Sequence, residues 1–456
     1  MKINNFTLKN GLRVLLVDTE AFPTLTTLLL VGAGSRYETE KNNGIAHFFE
    51  HMAFKGSKKY SSSLIISSII EGKGGIFNAF TAKDHTGYWI KSTVDHFETV
   101  VDVLSDMVLY PLLKEEEIER EKGVIVEEIN MYEDTPYRKV GDYFENLLYQ
   151  GNSLGLEIAG TKETVTSFNR ATFVDYINSL YYPKNAVLVV AGGLSKFNQA
   201  RYRVSHSSGS PFPAKGGKDI PSRSKQVSSL YDDYLSIIEE KFGSWQGDKK
   251  INFQKVKENQ NKPQIFVKYK DTQQAHFVLG YRAFSLFDKR RYALSVLSSI
   301  LGGGMSSRLF IEVRERRGLC YYVHTSKEAY QDVGYIATSA GVVNNLEKIK
   351  EAVEVIIDEH EKIASGDLKD EEIEKAKEYL KGRVLLSLED STNIATSFGT
   401  SLVLTNQFKT VEQVIEEIEK VKRQDLIALA KELFVKKHLN FALIGPFKEK
   451  EFENIF

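Results

Sequence analysis

The segment Gly44-Ile-Ala-His47-Phe-Phe-Glu50-His51-Met-Ala-Phe holds three side chains whose types and spacing suit metal chemistry. On a helix His47 and His51 stand one turn apart on a common face, with Glu50 beside them. Ile45, Phe48, Phe49 and Met52 then fall mainly on the other side. Two imidazoles so placed can bind one zinc ion at ~2.0 to 2.1 Å, and the carboxylate can take a proton from water. The order is H-x-x-E-H, the inverse of the more common zinc-protease helix. In a chain with 9 histidines and 61 acidic residues, chance yields this order only about 0.02 times. Two surface histidines beside a surface glutamate are therefore the weaker reading.

A catalytic zinc usually has a third protein ligand, and the helical pattern from Lys114 to Glu133 offers several carboxylates. Helical phase selects among them. Glu121, Val124, Ile125, Glu128 and Met131 share a face, an apolar stripe with two carboxylates embedded in it, while Glu127 points about 100° away. A buried carboxylate needs a cation, a metal or hydrogen-bond donors. Glu128 is thus the expected third ligand, and Glu121 the expected orienter of an imidazole or of the water. Without the histidine motif, both would read as solvated glutamates on an acidic helix.

The elements that must carry these groups form an α+β pattern. Phe6 to Lys9 and Leu12 to Val17 flank Asn10-Gly11, a hairpin signal because that pair supplies positive φ angles. Thr24 to Val31, Gly75 to Phe80 and Gly87 to Ser92 read as strands; Asn43 to Phe54, Ser62 to Glu71, Phe97 to Leu109 and Tyr137 to Tyr149 read as helices. Arg170 to Gly192 and Arg423 to Gly445 are alike, each a helical run followed by a buried strand ending in glycine. Their common offset points to two halves built on one plan. The expected division is 1–246, a linker at 247–262, and 263–456. Within the first half, about 194–229 is rich in Ser, Gly and Pro and carries Lys196, Arg201, Arg203, Lys215, Lys218, Arg223 and Lys225. This reads as a charged, solvated insertion ahead of a helix from Tyr231 to Phe242.

Length and composition set the outer limits. The 456 residues suggest about three domains of ~150 residues, or two large ones. With 42% hydrophobic and 27% charged residues, a fibrous or wholly disordered chain is excluded. Sixty basic against 61 acidic residues leave a net charge of -1 and no global field for nucleic acid or an anionic membrane. The single cysteine, Cys320, excludes an internal disulfide and any multi-thiolate metal site. No secretory signal is recognisable at the N-terminus, and no apolar run reaches the ~20 residues of a membrane span. The expected setting is the cytoplasm.

On these motifs the sequence resembles the insulinase and mitochondrial processing peptidase superfamily of inverted-motif zinc peptidases, over nearly the whole chain. His47, Glu50 and His51 match its zinc motif, and Glu121 and Glu128 match its downstream glutamates. Gly74-Gly-Ile-Phe-Asn78-Ala79-Phe-Thr81 resembles the edge strand that binds extended substrate. Leu301 to Phe310 and Val313 to Tyr321 are similar to a second signature, which implies that Arg314 and Tyr321 hold the scissile peptide and stabilise the oxyanion. Without the resemblance, Arg314 pairs with Glu312 or Glu315 and Tyr321 is a core aromatic.

The resemblance implies two similar halves, each a mixed sheet packed with helices, together forming half of a clamshell. The implied activity is zinc-dependent endopeptidase cleavage of extended or unstructured peptides in a closed chamber, including presequence-type processing. The repeat offset places residue 300 opposite His47, where Ser299-Ile-Leu-Gly-Gly-Gly stands, so one Zn2+ per chain is expected. The chain would work as a homodimer or as a heterodimer with a related chain. The alternatives are a catalytic subunit needing a metal-free partner, and a structural assembly subunit. Two features depart from the family pattern: the insertion after Gly193, and Phe49 where leucine is usual. The other histidines read as structural or surface residues, and Cys320 as a buried or interface thiol.

Overall fold

A computed structural model describes residues 1–196, 223–248 and 251–455. The Asn10-Gly11 segment does join two antiparallel strands, β1 (Lys2–Thr7) and β2 (Arg13–Asp18), with Thr7 opposite Arg13. The connection is longer than a two-residue turn, and Gly11 alone takes a positive φ, +93°. Gly11 N donates to Leu8 O, while the Asn10 side chain accepts from Leu12 N and donates to Phe242 O. Asn10 therefore acts through its amide group and not through left-handed backbone.

β3 (Thr24–Val31), β4 (Ile76–Thr81), β5 (Thr86–Thr93) and β6 (Ala186–Gly192) complete a six-stranded mixed sheet in the order β1-β2-β6-β3-β5-β4. β6 is buried along its whole length, parallel to β2 and antiparallel to β3. Its unbroken apolar run is what a strand covered on both faces requires. The second sheet comprises β7 (Gln264–Tyr269), β8 (Gln274–Ala283), β9 (Cys320–Ala329), β10 (Gly334–Val343) and β11 (Leu439–Gly445), in the order β7-β11-β8-β10-β9. β11 is parallel to β7 and antiparallel to β8. The two sheets thus share one topology, apart from the extra β1. Helices Arg170–Leu180 and Arg423–Leu433 precede β6 and β11, as the repeated sequence implied.

The chain forms two compact units, one comprising 1–125, 158–252 and 388–408, the other 126–157, 253–387 and 409–456. A single cut at 247–262 follows the two sheets but does not describe their helical cover. Helix Pro136–Leu148 packs on the second sheet, where Val140, Phe144 and Leu148 join Val278, Ala442 and Ile444. Helix Ser391–Thr405 packs on β3 and β6 of the first sheet. Gly399 makes the latter approach possible, since a Cβ there would lie 2.4 Å from Leu30 Cδ1. Each sheet is therefore covered by a helix from the opposite half of the sequence.

Of the expected insertion at about 194–229, residues 197–222 lie outside the described residues; helix Arg223–Phe242 begins ahead of the expected Tyr231. The polar stretch before β7 is held to the second unit, with Asn152 Nδ2 donating to Gln254 O and Val256 N to Asp332 Oδ2. No described helix is long and apolar enough to cross a membrane.

Candidate metal centre

Helix Ile45–Ala53 buries Ile45, Phe48, Phe49 and Met52. Phe49 meets the Tyr181 ring edge to face at 5.0 Å, so a surround of tyrosines receives the aromatic found at this position. This packing sets the rotation of the helix and hence the direction of His47 and His51. Their ring centroids lie 4.7 Å apart. One donor atom from each of His47, His51 and Glu128 lies within 4.8 Å of the other two, Glu128 standing on helix Glu115–Glu133. Two imidazole nitrogens and a carboxylate oxygen are a zinc donor set that leaves a fourth position for water or substrate. The residues present therefore fit a zinc ion. Among the described residues no other set of histidine, cysteine and carboxylate groups converges in this way.

The face of helix Glu115–Glu133 differs from the expected stripe. Ile118, Glu121, Ile125 and Ile129 are buried, whereas Val124 and Met131 are 49% and 53% exposed. The buried line is rotated away from Val124 and Met131, and Glu128 lies on its flank. The same helix can thus bury Ile125 and still present Glu128 to the imidazoles.

Hydrogen bonds hold the site carboxylates. Glu121 is buried; its Oε1 lies 2.8 Å from His51 Nδ1 and its Oε2 lies 2.5 Å from Lys55 Nζ. Burial raises the Glu121 carboxyl pKa, but the hydrogen bonds from His51 and Lys55 outweigh it and hold the group below its ordinary value. A carboxylate at Nδ1 fixes the imidazole tautomer, so that Nε2 is the nitrogen through which His51 would hold a metal. Thr81 Oγ1 donates to Glu50 Oε2 at 2.6 Å, and Tyr132 OH donates to Glu128 Oε1 at 2.6 Å.

Residues 13–162 match the family described as Insulinase (Peptidase family M16), and residues 231–380 match the Peptidase M16 inactive domain. An uncharacterized zinc protease of Bacillus subtilis, YmxG, is 32% identical over 446 residues, covering 97% of this chain and 98% of that protein. The chain belongs to peptidase family M16. An uncharacterized zinc protease of Streptomyces coelicolor is 30% identical to the M16 chain, across 98% of it and 91% of the relative. A protease from Helicobacter pylori has the same fold, with a TM-score of 0.83 at 24% identity over 98% of this chain and 100% of that one.

Among the described residues, β4 of the M16 chain pairs with β5 alone and ends its sheet, which puts Asn78 and Ala79 on an edge strand. Ala79 N donates to Asn78 Oδ1 at 2.8 Å. Arg314 lies on a π-helical turn, Phe310–Glu315, closed by Arg316 N donating to Ile311 O. Its guanidinium is 4.7 Å from the Phe310 ring centroid and 5.7 Å from that of Tyr321. Tyr321 is 72% exposed, so it is not a core aromatic, and Glu312 is engaged by Arg316 and Arg317. Arg314 and Tyr321 thus form a cluster of their own. Cys320 is buried, which pushes its thiol up to about 11 and argues against a nucleophile.

Lys55, Thr81 and Tyr132 escape the sequence reading. Lys55 and Tyr132 follow His51 and Glu128 at helical spacing, a signal that was available. Thr81 reaches Glu50 across 31 residues of chain, with no local signature.

Proposed function

We propose that this chain is a zinc-dependent metalloendopeptidase that hydrolyses peptide bonds in extended or unstructured peptides. The observation that carries the reading is the convergence of His47, His51 and Glu128, with Glu50 on the same helix as the two histidines. His47, His51 and Glu128 would hold the zinc ion, which when bound would supply Lewis-acid polarisation of water and of the scissile carbonyl. Glu50 does the proton work. Held by Thr81, its carboxylate takes a proton from the attacking water and returns it to the leaving amine. Glu121 keeps the His51 ring oriented.

Substrate enters as an added strand on β4, where the backbone at Asn78 and Ala79 contributes affinity with little side-chain selectivity. A folded region cannot offer such a strand, so the substrates are unstructured peptides, presequence-type segments among them. Arg314 and Tyr321 donate to the substrate carbonyl and the developing oxyanion. Because one chain carries both the metal set and this pair, a homodimer can furnish both halves of a closed chamber, acting in the cytoplasm. The zinc-protease names of its relatives support this reading.

The test is cleavage of a mixed pool of unstructured peptides by wild type and Glu50→Gln, each with and without a chelator. Chelator-sensitive cleavage by wild type alone is expected. Cleavage by zinc-loaded Glu50→Gln at the wild-type rate would remove Glu50 from its role. Silence from zinc-loaded wild type would shift the reading to a subunit that needs a different partner, or to a structural one.

A further inference from the structure

The metal helix lacks an ordinary N-cap. Its N-cap residue is Gly44, at φ +96°, which offers no side chain to the first-turn N–H groups. A carboxylate from earlier in the chain takes that place. Glu38, 4% exposed, accepts from Ala46 N at 2.8 Å through Oε1, and from Gly44 N at 2.8 Å and Asn43 Nδ2 at 2.9 Å through Oε2. The loop carrying it is itself anchored: Ser35 N donates to Ala82 O and Arg36 N to Lys83 O, and Arg36 forms a buried 2.9 Å ion pair with Asp84. Gly44 is pressed against Gly160, where a Cβ on Gly44 would meet Ala159 O at 2.7 Å. The start of the helix therefore has little room to shift.

His47 is the third residue of this helix, within the turn where the exposed N–H dipoles place partial positive charge. Burial pushes the Glu38 carboxyl up to about 8, so it meets this turn through its hydrogen bonds rather than through charge, and those bonds fix the turn from which the imidazole projects. We propose that Glu38 is a positioning residue for the metal centre: it caps the metal helix and fixes its first turn so that His47 and His51 bind zinc tightly. This rests on the assignment of zinc to His47, His51 and Glu128.

Glutamine cannot substitute, because both carboxyl oxygens accept N–H groups and an amide has only one acceptor oxygen. The experiment measures the zinc dissociation constant of the full chain at neutral pH, by competition with a chromophoric chelator, alongside circular dichroism. Glu38→Gln should bind zinc roughly tenfold more weakly while keeping its helical signal. The control Val101→Ala, in the buried core of the same unit, should lower Tm yet leave zinc affinity within about twofold. A loss of affinity confined to Glu38→Gln supports the proposal, and a Glu38→Gln constant within about twofold of wild type overturns it. If Glu38→Gln does not fold, Asn43→Ala, which removes one donor to Glu38, decides: weaker zinc binding supports the proposal and an unchanged constant overturns it. A wild type that binds no zinc removes the metal assignment itself, and this inference with it.

Discussion

The Nδ1 atom of His51 lies 2.8 Å from Oε1 of buried Glu121, and Lys55 occupies the other carboxylate oxygen. Glu121 is not among the three converging donors His47, His51 and Glu128, and the part proposed for it is to aim the imidazole. Replacing it leaves His51 able to rotate and to change tautomer. Glu121→Gln should weaken zinc binding by roughly 10- to 100-fold, read by chelator competition. An unchanged zinc constant would show that the ring is held by packing alone.

Glu50 and His51 are adjacent in sequence but should separate cleanly in their effects. Glu50→Gln should retain zinc while turnover falls by roughly 10²- to 10⁴-fold, the usual span for a lost general base. His51→Ala should instead lose zinc, as metal analysis by mass spectrometry will show. Zinc loss in Glu50→Gln would make Glu50 a ligand.

Thr81 holds Glu50 through a 2.6 Å hydrogen bond to a carboxylate. Such bonds are worth about 1.5 to 3 kcal/mol, so Thr81→Val should lower kcat by roughly 10- to 100-fold where the bond persists in the transition state. Zinc content should stay at the wild-type level. Wild-type kcat would mean that Glu50 is oriented by other contacts.

Arg314→Ala should reduce kcat/KM on unstructured peptides with zinc binding intact, because the guanidinium belongs to the Arg314–Tyr321 cluster and not to the metal group. Full activity in that variant would remove Arg314 from the site.

Two buried histidines make the fold acid-sensitive apart from the metal. Burial pushes His360, stacked on Phe434 at 4.2 Å, down to about 3, and His85 down to about 4. Both are neutral when folded and take up a proton near pH 6.5 when unfolded. Their contribution is complete above that pH and is lost as pH falls from about 6.5 toward the folded values, at up to about 1.4 kcal/mol per pH unit for each. Urea unfolding of the chelator-treated chain between pH 7 and 5 measures it. His360→Leu should have a shallower pH slope than wild type, and an equal slope would exclude His360 as a source.

Much of the site is legible in the sequence because it is local. His47, Glu50 and His51 lie within a turn and a half of helix, and 3.6-residue periodicity alone puts the two histidines together. The spacing from Glu121 to Glu128 is equally a property of one helix. The same logic goes astray at Val124 and Met131, because periodicity gives the width of an apolar face but not which edge of it meets the core.

Sequence by itself determined the metal-binding helix, the strands around it in the first half and the duplication seen at β6 and β11, since each depends on short-range pattern or on a repeat of it. Tertiary structure alone decided that helices Pro136–Leu148 and Ser391–Thr405 cover sheets of the opposite sequence halves. It alone brought Thr81 to Glu50 and Glu38 to the start of the metal helix. An amphipathic face and a buried carboxylate both demand partners, but packing is indifferent to where along the chain those partners arise.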